Sequence, residues 1–243
     1  MIASLPMYDT PATRAANDRF WQAICAAGNI PKTALDHESD PHDTWLSPHL
    51  VFSQTCGMPF RTDLHETVSL IGTPDYGVAQ CPPGYYRSCI VVRSTEARKD
   101  LADFAAARLA RNDRRSQSGW AAPWQHFQKC GGFRGTIIET GAHAASVDAV
   151  AQDRADIAAI DAVTWALLQR DTPERTAGLS VVEYTDPTPG LPFITANSQD
   201  ALPLRRAVAD AIAHLSDDDR RCLMLNALVY IPAADYLRVP SPE

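Results

Sequence analysis

An α/β fold is predicted by three features of this 243-residue sequence. Strand-like and helix-like stretches alternate along nearly the whole chain, the order that crossover helices and parallel strands produce. Short turns rich in glycine and serine stand where strands hand over to helices, the edge at which such sheets bind ligands. The length is enough for one large domain or for two lobes with cores of their own.

The elements follow in order. "IASLPMY" reads as a strand, and "TRAANDRFWQAICAAG" carries a helical stripe through Ala16, Phe20, Ile24 and Ala27, stopped by Gly28 and Pro31. "IPKTALDHESDPHDTWL" is polar and loop-like, with room for one helical turn. "HLVFSQTCG" predicts a buried strand running into a tight turn at Gly57, and "VSLIGTPDYG" and "YYRSCIVVRS" are further strands, the second dense in β-formers. "STEARKDLADFAAA" reads as a helix capped by Ser94 or Thr95. Strand "ARLAR", the "SQSG" turn, a helix closed by Gly131-Gly132, strand "GTIIET" and the helix of "GAHAASVDAVAQD" come next. "ADIAAID" is a strand, "AVTWALLQR" a helix and "LSVVEYT" a last clear strand. "DPTPGLPFITA" reads as a Pro/Gly-broken connector, "ALPLRRAVADAIAHL" and "SDDDRRCLMLNAL" as amphipathic helices, and the tail after Ile231 as irregular.

Composition narrows the function classes. A hydrophobic share of 45% with 21% charged residues is that of an ordinary globular protein. No apolar run reaches the 18 or more residues that a membrane-spanning helix needs. A formal charge of −7 leaves no basic footprint for nucleic acid. It does not exclude an anionic ligand, because local N–H dipoles decide such a site. The opening "MIASLPMYDTP" has no basic n-region, long apolar stretch or cleavage motif, so the sequence as it stands predicts a cytoplasmic protein, and a periplasmic one if a leader has been trimmed. Six scattered cysteines, without CxxC or metal-ligand spacing, agree with reduced thiols. No cofactor is implied.

The most informative stretch is "RSQSGW", Arg115 to Trp120. Ser116 and Ser118 stand where a strand gives way to a helix. One reading is a plain N-cap, a hydroxyl accepting an orphan backbone N–H. The other is an anion seat built from free N–H groups, the positive end of the helix dipole and two hydroxyls. A second turn of the same kind, Gly141-Ala142-His143, opens the next helix, so two helix N-termini can converge and His143 can add an imidazole N–H.

"S-x-S-G" followed by "G-x-H-x-x-S" and "A-D-I-A-A-I-D" resembles the phosphate/phosphite/phosphonate substrate-binding proteins of the type 2 periplasmic-binding superfamily. The opening "ASLPMYD", the "SQTCGMPF" turn and "PTPGLPFITA" resemble a branch that often lacks an export signal. The match runs in order over nearly the whole chain. The resemblance implies two α/β lobes with a ligand cleft between them: lobe one at 1–92 plus 187–243, lobe two at 93–186, with "YRSCIVVRS" and "LSVVEYTDP" as crossovers. It also implies that Ser116, Gln117 and Ser118 form the ligand's serine-rich turn, that His143 is the ligand histidine and that Tyr86, with Tyr85 as the near alternative, is the crossover aromatic. By position it gives Met7, Tyr8 and Thr55 to the wall of lobe one. Family members that take aminoalkylphosphonates carry a carboxylate where the helix after "ADIAAI" begins; the aligned position here is Val163, with Asp161 two residues earlier. The tyrosine-bearing helix start of lobe one is replaced by the more polar "LDHESDPHDTW".

Other readings of these residues stay open. Asp161 serves equally as the N-cap of the "AVTWALL" helix, His143 as a cap, and Tyr86 as a packed strand aromatic. His37, His42, His49 and His65 fit no metal-ligand template. Cys56 has no base or oxyanion hole visible in sequence to make it a nucleophile. "RNDRR" is a solvated loop or a bias of Arg114 and Arg115 towards anions. The expectation is therefore a non-catalytic binding protein for a small phosphate-, phosphite- or phosphonate-type anion, working as a sensor, a carrier or the partner of an ABC transporter. The rival is an enzyme acting on a small phosphorylated or carboxylate substrate in the same cleft.

Overall fold

A computed structural model describes residues 1–242. By packing, the chain divides into two compact units, Met1–Tyr85 with Pro189–Arg238, and Tyr86–Thr188 with the C-terminal residues from Val239. The divisions fall at 85/86 and 188/189, against 92 and 187 in the sequence reading.

The first unit is built on a five-stranded sheet in the order Ile2–Ala3, Leu50–Gln54, Phe193–Ala196, Val68–Asp75, Ala227–Val229. The first pair is parallel, and every other pairing is antiparallel. Helix Arg14–Ala27 covers one face because its stripe of Ala16, Phe20 and Ile24, with Trp21, is buried. Ala27, the last residue of the expected stripe, is exposed where the helix ends. Trp21 stacks on Phe52 at 5.6 Å and Phe52 meets Phe193 at 4.9 Å, so the helix and two strands share one aromatic core.

The second unit has a five-stranded sheet in the order Thr136–Glu139, Arg108–Arg111, Ile157–Asp161, Ser88–Arg93, Leu179–Tyr184. The first three strands are mutually parallel. Ser88–Arg93 runs antiparallel to both neighbours. Its partners include Leu179–Tyr184, so the two stretches expected as crossovers lie side by side. Helices Ala122–Gln128, His143–Ala151 and Ala162–Asp171 connect the parallel strands, as the alternation predicts.

Four expectations are corrected. The sheets are mixed rather than parallel, because the strands next to the unit boundaries enter against the direction of the βα repeats. Residues 94–107 form no helix beyond the single turn Leu101–Phe104. Glu96 is held in a local loop instead, its carboxylate accepting the backbone N–H and guanidinium of Arg98. The connector "DPTPGLPFITA" contains the central strand Phe193–Ala196, wholly buried. The tail forms helix Ala233–Leu237, fixed by the buried Tyr236, whose hydroxyl lies 2.6 Å from Thr73 Oγ1.

In the first unit, His37 pins the loop before Pro41 to the body. Its Nδ1 lies 2.8 Å from Asp9 Oδ2 and its Nε2 3.0 Å from Asp18 Oδ1. Two carboxylates can be served at once only if both ring nitrogens carry protons. Burial opposes that charge, but the hydrogen bonds to Asp9 and Asp18 outweigh it and raise the pKa above the ordinary histidine value. A raised pKa gives stability that is complete below the unfolded value of about 6.5 and is lost as pH climbs through the folded value. His37→Gln should therefore cost stability at about pH 5.5 and progressively less above that window. Denaturant unfolding of both proteins across pH checks this; a stability gap independent of pH would contradict the double clamp.

Candidate functional site

The three parallel strands of the second unit end together, and at their carboxyl edge the chain turns into three helices. After Arg108–Arg111 the chain loops through Asn112–Arg115, and a wide turn, Gln117–Ala121, leads into helix Ala122–Gln128. Ser116 is the N-cap, with Oγ accepting the Gly119 N–H at 2.9 Å. The plain-cap reading is thus true of Ser116, at a value of about 1 kcal/mol. It is not true of Ser118, whose Oγ lies 2.9 Å from His143 Nε2.

His143 is the first residue of helix His143–Ala151, behind the extended Ala142. The Ser118–His143 contact joins two helix N-termini, and the positive ends of both dipoles stand beside a hydroxyl and an imidazole. Packing leaves the imidazole only partly exposed and pushes its pKa down to about 4, the Ala159 backbone pulling weakly the other way. At neutral pH the ring is uncharged, as the neighbouring dipoles also favour.

Gly119 is the hinge of this junction. A Cβ there would stand 1.7 Å from Asn112 Oδ1 and 3.1 Å from His143 Cε1, so any larger residue would force the Asn112 side chain out of its place. Ser88, at the start of its strand, donates its hydroxyl to the Ser118 carbonyl at 2.8 Å. Across the ladder Ser88 faces Asp161, which ends the third parallel strand. Asp161 Oδ1 accepts the N–H groups of Val163 and Thr164 at 2.7 and 3.0 Å, making it the N-cap of helix Ala162–Asp171. The carboxylate at this helix start is therefore Asp161 itself, and Val163 lies one residue inside the first turn, buried. Tyr86 is buried two residues before Ser88.

The structure thus gathers Ser116, Gln117, Ser118, His143 and Asp161 at one sheet edge, with Tyr86 close by in sequence to Ser88. The first three are buried. The first-unit candidates are more dispersed. Tyr8 lines a small cavity with Asn17, Gln54 and Tyr76, its ring edge-on to Tyr76 at 5.1 Å. Met7 packs against the cluster of Trp45, Phe60 and Tyr236. Thr55 is fully buried, with its N–H donated to the Pro192 carbonyl. Ser88, Asn112 and the steric demand at Gly119 were not visible as site features in sequence; a lone hydroxyl in the apolar run "SCIVV" is the one signal that could have marked Ser88. Among the described residues no group of three or more His, Cys, Asp or Glu side chains could hold a metal.

A family profile described as an ABC transporter, phosphonate, periplasmic substrate-binding protein matches residues 63–235. The chain belongs to this phosphonate-binding family. Its fold is the two-lobed α/β fold of type 2 periplasmic binding proteins. PhnD1 from Prochlorococcus marinus, solved in complex with methylphosphonate, superposes with a TM-score of 0.73 at 12% identity, over 97% of this chain and 94% of that one. XAC2383 from Xanthomonas citri, solved with chloride, gives 0.72 at 13% identity over 98% of each chain. A binding-protein component of an ABC phosphonate transporter from Pseudomonas aeruginosa gives 0.71 at 14% identity, over 97% of this chain and 83% of that one. No curated protein sequence matches. The family is one of substrate-binding proteins and is normally periplasmic. No helix among the described residues is long and apolar enough to cross a membrane.

The lowered pKa of His143 leads to an expected dependence of stability on pH. A base whose folded pKa is lowered contributes fully above its unfolded value of about 6.5 and loses that contribution as pH falls towards 4. The loss over that window should reach roughly 3 kcal/mol. His143→Gln should flatten the stability profile between those pH values, as followed by denaturant unfolding; an unchanged slope would show that the imidazole titrates freely.

Proposed function

We propose that this protein binds a phosphate-, phosphite- or phosphonate-type anion on the second unit, at the turn Ser116–Gly119 and the helix start at His143. The Ser118–His143 hydrogen bond carries the reading, because it brings two helix N-termini, a hydroxyl and a neutral imidazole to one point. Gln117 and Ser118 supply backbone N–H groups and Ser118 its hydroxyl, beside the N-cap Ser116, whose own N–H is donated to the Asp113 carbonyl. His143 supplies an imidazole nitrogen whose proton an anion would hold in place. Tyr86, also of the second unit, belongs to the same proposal as a further ligand contact. The role is that of a solute receptor delivering its ligand to an ABC transporter, in the periplasm, or of a sensor of the same ligand in the cytoplasm.

One observation favours an enzyme instead: 2.9 Å is the spacing of a hydroxyl nucleophile and its base. Against it, the backbone of Ala159, in place of a carboxylate, is the other influence on the imidazole. We therefore assign no catalytic step.

A ligand that binds only the folded state adds RT ln(1 + [L]/Kd), about 2.7 kcal/mol at a hundredfold excess over Kd. Phosphate or methylphosphonate should accordingly raise the thermal midpoint. Because Ser118 is buried, alanine is the substitution that removes its hydroxyl without adding bulk. Ser118→Ala should keep the fold of the free protein and lose most of the ligand-induced shift; a full shift in the variant would place the anion elsewhere.

The choice among anions turns on Asp161. An ammonium drawn into a desolvated site needs a carboxylate partner. Asp161 is buried and its Oδ1 already holds two backbone N–H groups. Ethylphosphonate should therefore bind at least about tenfold more tightly than 2-aminoethylphosphonate, the loss of one charge-assisted bond. Calorimetric titration with the two side by side decides it, and tighter binding of the amine would show that Asp161 serves ligand as well as helix.

A further inference from the structure

Every polar group of the seat described above is a donor or can act as one: backbone N–H groups, the Ser118 hydroxyl and the His143 ring. Asn112 breaks that pattern. It follows the strand Arg108–Arg111 and precedes the Ser116–Gly119 turn. Its Oδ1 is buried and accepts no hydrogen bond. The oxygen occupies the space that a Cβ on Gly119 would fill, 1.7 Å from that position, and His143 Cε1 lies 3.1 Å from the same point. A glycine has thus made room for an amide oxygen that then finds no donor. An unpaired buried acceptor is a standing cost, and in a native protein it calls for a partner that arrives later.

The neighbouring groups do not supply that partner. Gly119 N–H is donated to Ser116 Oγ, and the backbone N–H of Arg115 goes to Asp113 Oδ1. The His143 ring turns Nε2 to Ser118. Arg111 is engaged by Glu139 and lies over the Trp120 ring at 4.4 Å.

We propose that Asn112 is a specificity-determining residue, its side-chain oxygen accepting the hydrogen of a singly protonated oxyanion bound at the Ser116–Gly119 and His143 seat. This rests on the anion-binding reading of that seat and adds the protonation state of the ligand. An acceptor among donors rewards an anion that still carries a P–OH group and penalises one of the same shape and charge that has none, because the amide oxygen then faces an anionic oxygen directly. Hydrogen phosphate and sulfate make the comparison: both are tetrahedral dianions of similar size, and only hydrogen phosphate carries a hydrogen.

The test measures phosphate and sulfate affinities by calorimetry near neutral pH, for the native protein, Asn112→Ala and Ser118→Ala. The native protein is expected to prefer phosphate by at least about tenfold. Asn112→Ala should lose that margin, with phosphate weakened and sulfate unchanged or improved. The thermal midpoint of the ligand-free Asn112→Ala protein should be equal to or above the native one, since an unpaired polar atom has gone; a residue with a merely structural role would lower it. Ser118→Ala should weaken both anions together. Equal weakening of both anions in Asn112→Ala would make the amide a donor and overturn the proposal, as would an unchanged margin or a native protein that takes sulfate as readily as phosphate. If the native protein binds neither anion, the reading of the seat falls along with it.

Discussion

A single hydrogen bond of 2.9 Å, between Ser118 Oγ and His143 Nε2, joins two turns 25 residues apart in the chain. Its formation depends on parallel strands Arg108–Arg111 and Thr136–Glu139 lying next to each other, so that the helices that follow them begin at the same edge. Gly119 stands beside it, where a Cβ would meet Asn112 Oδ1 at 1.7 Å and push that side chain aside. A hydroxyl, an imidazole and two helix N-termini are brought within reach of one another by backbone topology, and no charged side chain is needed. A chain of formal charge −7 belongs to a phosphonate substrate-binding family, and local N–H dipoles rather than net charge decide an anion site.

The same economy shapes the surroundings. Ser88 ties the Ser118 carbonyl to the neighbouring strand, and Asp161 caps the third helix at the same edge. Several of these polar groups are already bonded within the protein, which holds the turns in place before any ligand arrives. Rigid donors are worth more to an anion than mobile ones, because little ordering remains to be done on binding. His143 is held neutral by its packing, and an anion beside it would favour its charged form.

Much of this was legible in the sequence because it is local. The stripe Ala16, Phe20 and Ile24 has the helical period, and Ser116 and Asp161 stand directly before helices and cap them. The features that stayed hidden depend on partners far along the chain. Phe193–Ala196 is buried at all four residues, so it shows no alternation, and the prolines and glycine before it read as a connector. Ala233–Leu237 is a single short helix whose existence rests on Tyr236 reaching Thr73, 163 residues away. Residues 94–107 have helical composition, yet the Glu96–Arg98 contact captures the segment in a loop. In the site, hydroxyls and an imidazole beside glycines could be seen in sequence; what could not be seen was that Gly119 opens space for Asn112.

The account stands or falls on where an anion sits. The most direct measurement is a crystal structure of the protein grown with methylphosphonate, with the phosphorus located in the electron density. The account predicts phosphorus at the Ser116–Gly119 turn, with its oxygens within hydrogen-bond distance of Ser118 Oγ, the His143 ring and backbone N–H groups of the turn. Phosphorus bound instead to surface arginines such as Arg114 or Arg115, with the Ser118–His143 bond left intact and unoccupied, would contradict it.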